Sequence, residues 1–129
     1  MGKLVPDAVL DSMLDIIANG VDLINICKDT PIDYSTATTN GTHSLADIAV
    51  TAGDGGGDWT IANGDTNGRK LTLAQQTGVT VDTSGTATHI AGTDGTSVFY
   101  FATTCTSQAV TAGNTATINT FDIEISDAA

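Results

Sequence analysis

The chain has 129 residues and a mass of 13.1 kDa, with fifteen acidic residues against four basic ones and a formal net charge of −11. That length suits one domain able to bury most of its apolar surface, and 40 % hydrophobic residues set it apart from a disordered tail. Lys3, Lys28, Arg69 and Lys70 are its only Lys and Arg residues, too few to displace counterions from a phosphate backbone or to hold an anionic bilayer, so neither nucleic acid nor a membrane is an expected partner.

At the start, MGKLVPDAVLDSML lacks a long apolar core and meets Asp7, Asp11 and Asp15 early, which reads against a signal peptide. Pro at position 6 breaks the myristoylation pattern begun by Met1-Gly2. Residues 7–19, DAVLDSMLDIIAN, form the one clear helix. Asp7 is placed to cap it after Pro6, and Val9, Leu10, Met13, Ile16 and Ile17 recur at helical spacing as one apolar stripe. Gly20 is expected to end the helix as a left-handed cap.

From residue 21 to residue 125 the pattern is strands and hairpins. VDLINICK at 21–28 reads as a strand with both faces partly apolar. The polar run through 29–43, with Pro31 and Asn40-Gly41, is long for a connection. It is either a surface excursion or an arm that orders against a partner. Strands follow at 44–51, 57–63, 69–75, 78–83, 86–92, 97–104 and 115–125, separated by Asn67-Gly68, Ser84-Gly85, Asp94-Gly95 and Gly113-Asn114. Twenty-three threonines, β-branched and hydroxylated, favour such strands, and aromatics at 5 % leave the core to Val, Ile, Leu and Ala. The expected fold is mainly β: a single-domain antiparallel β-sandwich or barrel over residues 1–129, with one N-terminal α-helix.

Register follows if the turns are tight. A two-residue Asp94-Gly95 turn sets Thr93 against Thr96, Ile90 against Phe99 and His89 against Tyr100. A two-residue Ser84-Gly85 turn sets Val81 against Thr88 and Val79 against Ile90. Both place Val79, Val81, Ile90, Phe99 and Phe101 on one face. In the last strand, Phe121, Ile123 and Ile125 point inward and Asp122 and Glu124 outward.

Chemistry has few footholds. TAGDGGGDWTIANGDTNGRK at 51–70 contains Asn63, Asp65, Asn67 and Gly68 at spacings like those of a calcium loop. Its first position is Asn rather than Asp, its twelfth is Ala74 rather than Glu, and Arg69 and Lys70 repel a cation, so the run reads as turn punctuation and no metal is expected. DGGGD at 54–58 reads as a flexible hairpin tip. His43 and His89 have no nucleophile elbow to serve. Trp59, with Tyr34 and Tyr100, is thin material for a sugar cleft, and a lone Trp is more often core or interface. Cys27 and Cys105 read as buried thiols, with a disulfide left open and a cysteine zinc site excluded by number. No cofactor, no catalytic residue and no enzyme activity are expected.

Four stretches carry a resemblance: MGKLVPDAVLDSMLDIIANG at 1–20, DWTIANGDTNGRKLTL at 58–73, GVTVDTSGTATH at 78–89 and TTCTSQAVTAGNT at 103–115. Together they resemble a family of small proteins encoded in tailed-phage and prophage genomes, near structural genes. The resemblance implies a bacteriophage virion component assembled in the bacterial host cytoplasm, and a capsid decoration or cement protein above all. Its partners are then the major capsid protein and copies of itself, with a homotrimer compatible with the three-fold positions such proteins occupy. Contacts are expected from Met1–Pro6, the 29–43 arm and the 52–58 tip. The alternatives are a tail, neck or baseplate component and a host- or glycan-binding β-module. The last predicts an exposed aromatic patch around Trp59 and Tyr100; decoration predicts Trp59 buried or at an interface.

Overall fold

The computed structural model describes residues 5–127. The chain is mainly β, with antiparallel sheets and one long helix near its N-terminus. It divides into two compact units, each assembled from stretches distant in sequence: residues through Gly20, Thr51–Gln75 and Asn119 onward in the first, Val21–Val50 and Gln76–Ile118 in the second.

The first unit is a helix on a small sheet. α1 (Asp7–Gly20) packs on β3 (Trp59–Asn63) and β4 (Arg69–Leu73), and β9 (Phe121–Ile125) completes the sheet in the order β3-β4-β9, antiparallel throughout. The carbonyl of Pro6 accepts from Val9 N and Leu10 N, so Asp7 lies one residue inside the helix rather than at its cap. Gly20 is the last helical residue and has no positive φ, so the expected left-handed cap is not used.

Which face of α1 packs is also shifted from expectation. Leu10, Leu14 and Ala18, a row at four-residue spacing, are buried, whereas Val9, Met13 and Ile16 are exposed by 49, 44 and 64 %. Apolar residues cover more of this helix than the single stripe a sheet can bury. Beneath the helix row lie Leu71 and Leu73 of β4 and Trp59 of β3, all fully buried. Burying residues of this size contributes roughly 1.5–3 kcal/mol each before entropy is charged.

Strand β4 alternates by face. Leu71 and Leu73 face the core, while Lys70 and Thr72 reach Asp122 on β9, Thr72 Oγ1 donating at 2.6 Å and Lys70 Nζ at 3.5 Å. Phe121, Ile123 and Ile125 are half-buried and Asp122 and Glu124 exposed, the alternation expected from FDIEI. The β3–β4 connection, Gly64–Gly68, closes with Gly64 N on Gly68 O at 2.9 Å. Gly68 sits at φ +70°, and a Cβ there would collide with the carbonyl of Ile125, so the position admits only glycine.

The second unit centres on a four-stranded antiparallel sheet in the order β2-β1-β6-β7: β1 (Leu23–Cys27), β2 (Ser44–Ala49), β6 (Gly85–Thr93) and β7 (Phe99–Val110). The five-residue α2 (Tyr34–Thr38) sits between β1 and β2, and β5 (Gln76–Thr80) pairs with β8 (Thr115–Ile118) as a separate two-stranded sheet. The core of this unit gathers Ile24, Ile26, Leu45, Val79, Val81, Ile90, Ala91 and Ile118.

Both expected tight turns are corrected here. β5 pairs with β8 and not with β6, so Val79 lies opposite Ala116 rather than Ile90. Between β6 and β7 the connection runs through 94–98, and Thr93 pairs with Phe99, Ile90 with Thr103 and His89 with Thr104. The Asp94 side chain is the reason. Its Oδ1 accepts from Thr96 N, Ser97 N and Val98 N at 2.8, 2.7 and 2.9 Å, which holds a wider loop than a two-residue turn. Val79, Val81 and Ile90 are nonetheless all buried; Phe99 and Phe101 are half-buried. Gly92 lies opposite Phe101, whose ring occupies the space a Cβ would need.

Those three N–H donors hold the Asp94 carboxyl below its ordinary value of 3.8. A lowered folded pKa stabilises the fold above the ordinary value, and the contribution is lost as pH falls through the lowered one. Replacing Asp94 with Ala should therefore lower the thermal midpoint at neutral pH, and the gap from wild type should close in acid. Melting curves at a series of pH values check it; a gap independent of pH would show that the carboxylate is not the cause.

Candidate functional site

The residues singled out in 51–70 are taken up by the fold itself. Asn63 Oδ1 accepts from Arg69 Nη1 at 2.7 Å, Asp65 Oδ1 from Lys70 Nζ at 2.7 Å, and Asn67 Oδ1 from Asp127 N at 3.1 Å. Arg69 also grips Asp11 on α1 with both ends of its fork, Nε to Oδ1 at 2.6 Å and Nη2 to Oδ2 at 3.3 Å. Two-pronged guanidinium–carboxylate pairs fix geometry as well as charge, and here the pair sets the helix on its sheet.

The DGGGD stretch is a built connection rather than a flexible tip. Asp54 Oδ1 accepts from Ile61 N at 2.9 Å and Asp58 Oδ2 from Thr51 N at 2.6 Å, while Gly53 N reaches the end of α1 at Ala18 O. Residues 29–43 are likewise ordered on their own unit. Asp33 caps α2 in a reciprocal capping box with Thr36, His43 Nδ1 pairs with Asp29, and Lys28 Nζ donates to Gly41 O at 3.1 Å. Of the three expected contact segments, most of Met1–Pro6 lies outside the described residues.

One cluster brings together side chains of the nucleophilic kind. Cys27 on β1 lies opposite His89 on β6, and His89 bridges two hydroxyls, Thr30 Oγ1 at Nε2 (3.0 Å) and Thr88 Oγ1 at Nδ1 (2.8 Å). Yet the Cys27 thiol is fully buried against Ala37 and Ala91 and turned to the Ala37 carbonyl. Burial first, then the neighbouring Asp29 and Cys105, push it up to about 12. An activated cysteine needs the opposite shift, toward the thiolate. Both cysteines are free. Strand β6 separates β1 from β7, which places Cys27 and Cys105 about two strand spacings apart, ~9–10 Å and beyond disulfide reach.

Among the described residues, no three His, Cys, Asp or Glu side chains converge as a metal ligand set, and no helix is long and apolar enough to cross a membrane. Trp59 is completely buried, in the core arm of the expectation. Elsewhere, Asp47 on β2 is held above its ordinary value by partial burial and then by Asp82.

The fold also leaves some large apolar side chains exposed, three of them on α1. Val9, Met13 and Ile16 form a ridge along α1 at four- and three-residue spacing. The spacing sets them with Leu10 and Ile17 in one apolar stripe, of which only Leu10 is buried; the helix's wider apolar coverage, with Leu14 and Ala18 also present, is the signal that another row packs. Comparison with protein-family models, with curated proteins and with solved structures finds no match to this chain.

The thiol environments make a chemical prediction. Near pH 8, a pKa raised from 9.0 to about 12 leaves Cys27 roughly a thousandfold less thiolate than an ordinary cysteine. Titration with a thiol reagent should label half-buried Cys105 slowly in the native protein and Cys27 only after unfolding. Rapid labelling of both, or no free thiol in non-reducing denaturant, would contradict these environments.

Proposed function

We propose that this chain is a non-enzymatic structural protein of a bacteriophage virion, a capsid decoration or cement protein that binds the major capsid protein lattice. The observation that carries the reading is the ridge Val9, Met13 and Ile16: a helix already seated on its own sheet through Leu10, Leu14 and Ala18 keeps a second apolar row in solvent. Such a row is suited to being covered by another protein. Its place within MGKLVPDAVLDSMLDIIANG, one of the stretches that resemble tailed-phage proteins, gives the reading its direction.

Electrostatics support it. Arg69 and Lys70 are taken up by Asp11, Asp65 and Asp122, and Lys28 by a backbone carbonyl, which leaves the acidic excess to face solvent or a basic partner. Burial of Trp59 counts against a sugar platform built on it.

The test has two parts. Quantified by mass spectrometry in purified particles, the protein should be present in hundreds of copies, in simple ratio to the capsid subunit. A few or a dozen copies would move it to tail, neck or baseplate, and absence would sink the virion reading. Second, Ile16→Asp should lower capsid occupancy roughly tenfold or more, the worth of one buried Ile, while leaving the melting midpoint nearly unchanged because Ile16 is exposed.

A further inference from the structure

The sheet of the second unit treats its two edges differently. At the β2 edge, Leu45 O accepts from Asp82 N at 2.8 Å and Thr83 N at 3.0 Å, and Ala46 bridges to Val81, so the chain covers the strand with its own backbone. At the other edge stands β7, the longest strand, paired on one side only among the described residues. Ala102, Thr104, Thr106, Ser107, Gln108 and Ala109 on it are exposed.

Edge strands left open are blunted in most proteins by charge, proline or shortness. β7 has none of these. Not one charged residue and no proline occurs from Gly95 to Phe121, in a chain whose other segments carry all nineteen charges. Its composition, FYFATTCTSQAV, is rich in aromatic and β-branched residues that favour strands. Bulges are the one protective device present: the register shift between Ala87/Gln108 and His89/Thr104 places one at 105–107, and that between Gly92/Phe101 and Thr93/Phe99 places another at Tyr100. They leave 102–104 and 108–110 regular.

We infer that β7 is a self-association edge, on which the β7 of a second copy of this chain adds antiparallel across a two-fold axis. Charge selects the occupant. Two copies of a protein at −11 repel wherever their acidic surfaces meet, and an isologous contact sets each patch against itself. The charge-free strand is a surface on which two identical copies meet without that repulsion. Antiparallel addition satisfies the outward backbone groups of the regular stretches 102–104 and 108–110 and joins the two four-stranded sheets into one of eight. The pairing is a property of the purified chain and does not depend on where the protein works.

Sedimentation velocity on the wild-type chain at about 100 µM should show a species of about 26 kDa, twice the 13.1 kDa of one chain, that dissociates on dilution. Thr104→Lys with Gln108→Lys, and separately Thr104→Glu with Gln108→Glu, should each weaken association about tenfold or more by placing like charges across the pair. Mixing the two variants should restore a dimer, a result misfolded variants would not give. In hydrogen exchange, the amides of 102–104 and 108–110 should be protected in proportion to dimer. A wild-type monomer at that concentration, a trimer, or a dimer indifferent to both charge pairs would overturn the inference.

Discussion

In the first unit everything converges on five residues of one strand, RKLTL of β4. β4 pairs with β3 on one side and β9 on the other, in unbroken register from Arg69 to Leu73. The strand lies under α1, and Leu71 and Leu73 are the floor on which Leu10, Leu14 and Ala18 rest. Its two cations are half of the chain's supply, and they answer carboxylates from three separate stretches: Asp11 on the helix, Asp65 in the hairpin, Asp122 on β9. In a chain so acidic, these pairs relieve repulsion as much as they add attraction. Removing one partner leaves a half-buried charge unanswered, which costs more than the pair contributes in an exposed setting.

The second unit is organised differently, by apolar burial along β6. Ile90, Ala91, Gly92 and Thr93 are buried in succession, as expected of a strand flanked on both edges. Gly92 makes room for Phe101, and Ala91 for the Cys27 and Ala37 contact that seats α2. These small residues set how closely the neighbouring elements approach. The same closeness holds the Cys27 thiol above its ordinary value, while His89 opposite it is held by the hydroxyls of Thr30 and Thr88. Asp33 and Asp94 act as acceptors for backbone donors that close a helix start and a loop. Both are held below the ordinary carboxylate value by those bonds.

Much of this was legible before the fold. The helix over 7–19 and the strands at 44–51, 57–63, 69–75 and 86–92 follow from apolar period and from Gly and Asn punctuation, and each lies within a few residues of its observed bounds. FDIEI alternates as its spelling suggests. What was not legible has physical causes. The partner of β5 is β8, some forty residues away, and local pattern carries no signal for so distant a pairing. Asp94-Gly95 spells a tight turn, but the carboxylate's reach to three N–H groups selects a longer loop. On α1, eight apolar side chains compete for one sheet-facing row, and spacing alone does not rank Leu14 and Ala18 above Met13 and Ile16. The exposed ridge was therefore hidden by the very pattern that identified the helix.

Hydrogen exchange followed by mass spectrometry on Leu71→Ala tests most directly whether β4 is the element on which the first unit depends. The substitution removes a fully buried side chain and should cost about 2–5 kcal/mol. If β4 holds α1 and β9 in place, amides of Leu10–Ala18 and of Phe121–Ile125 should lose protection together with those of Arg69–Leu73. Loss confined to β4, with α1 and β9 as protected as in wild type, would contradict the account.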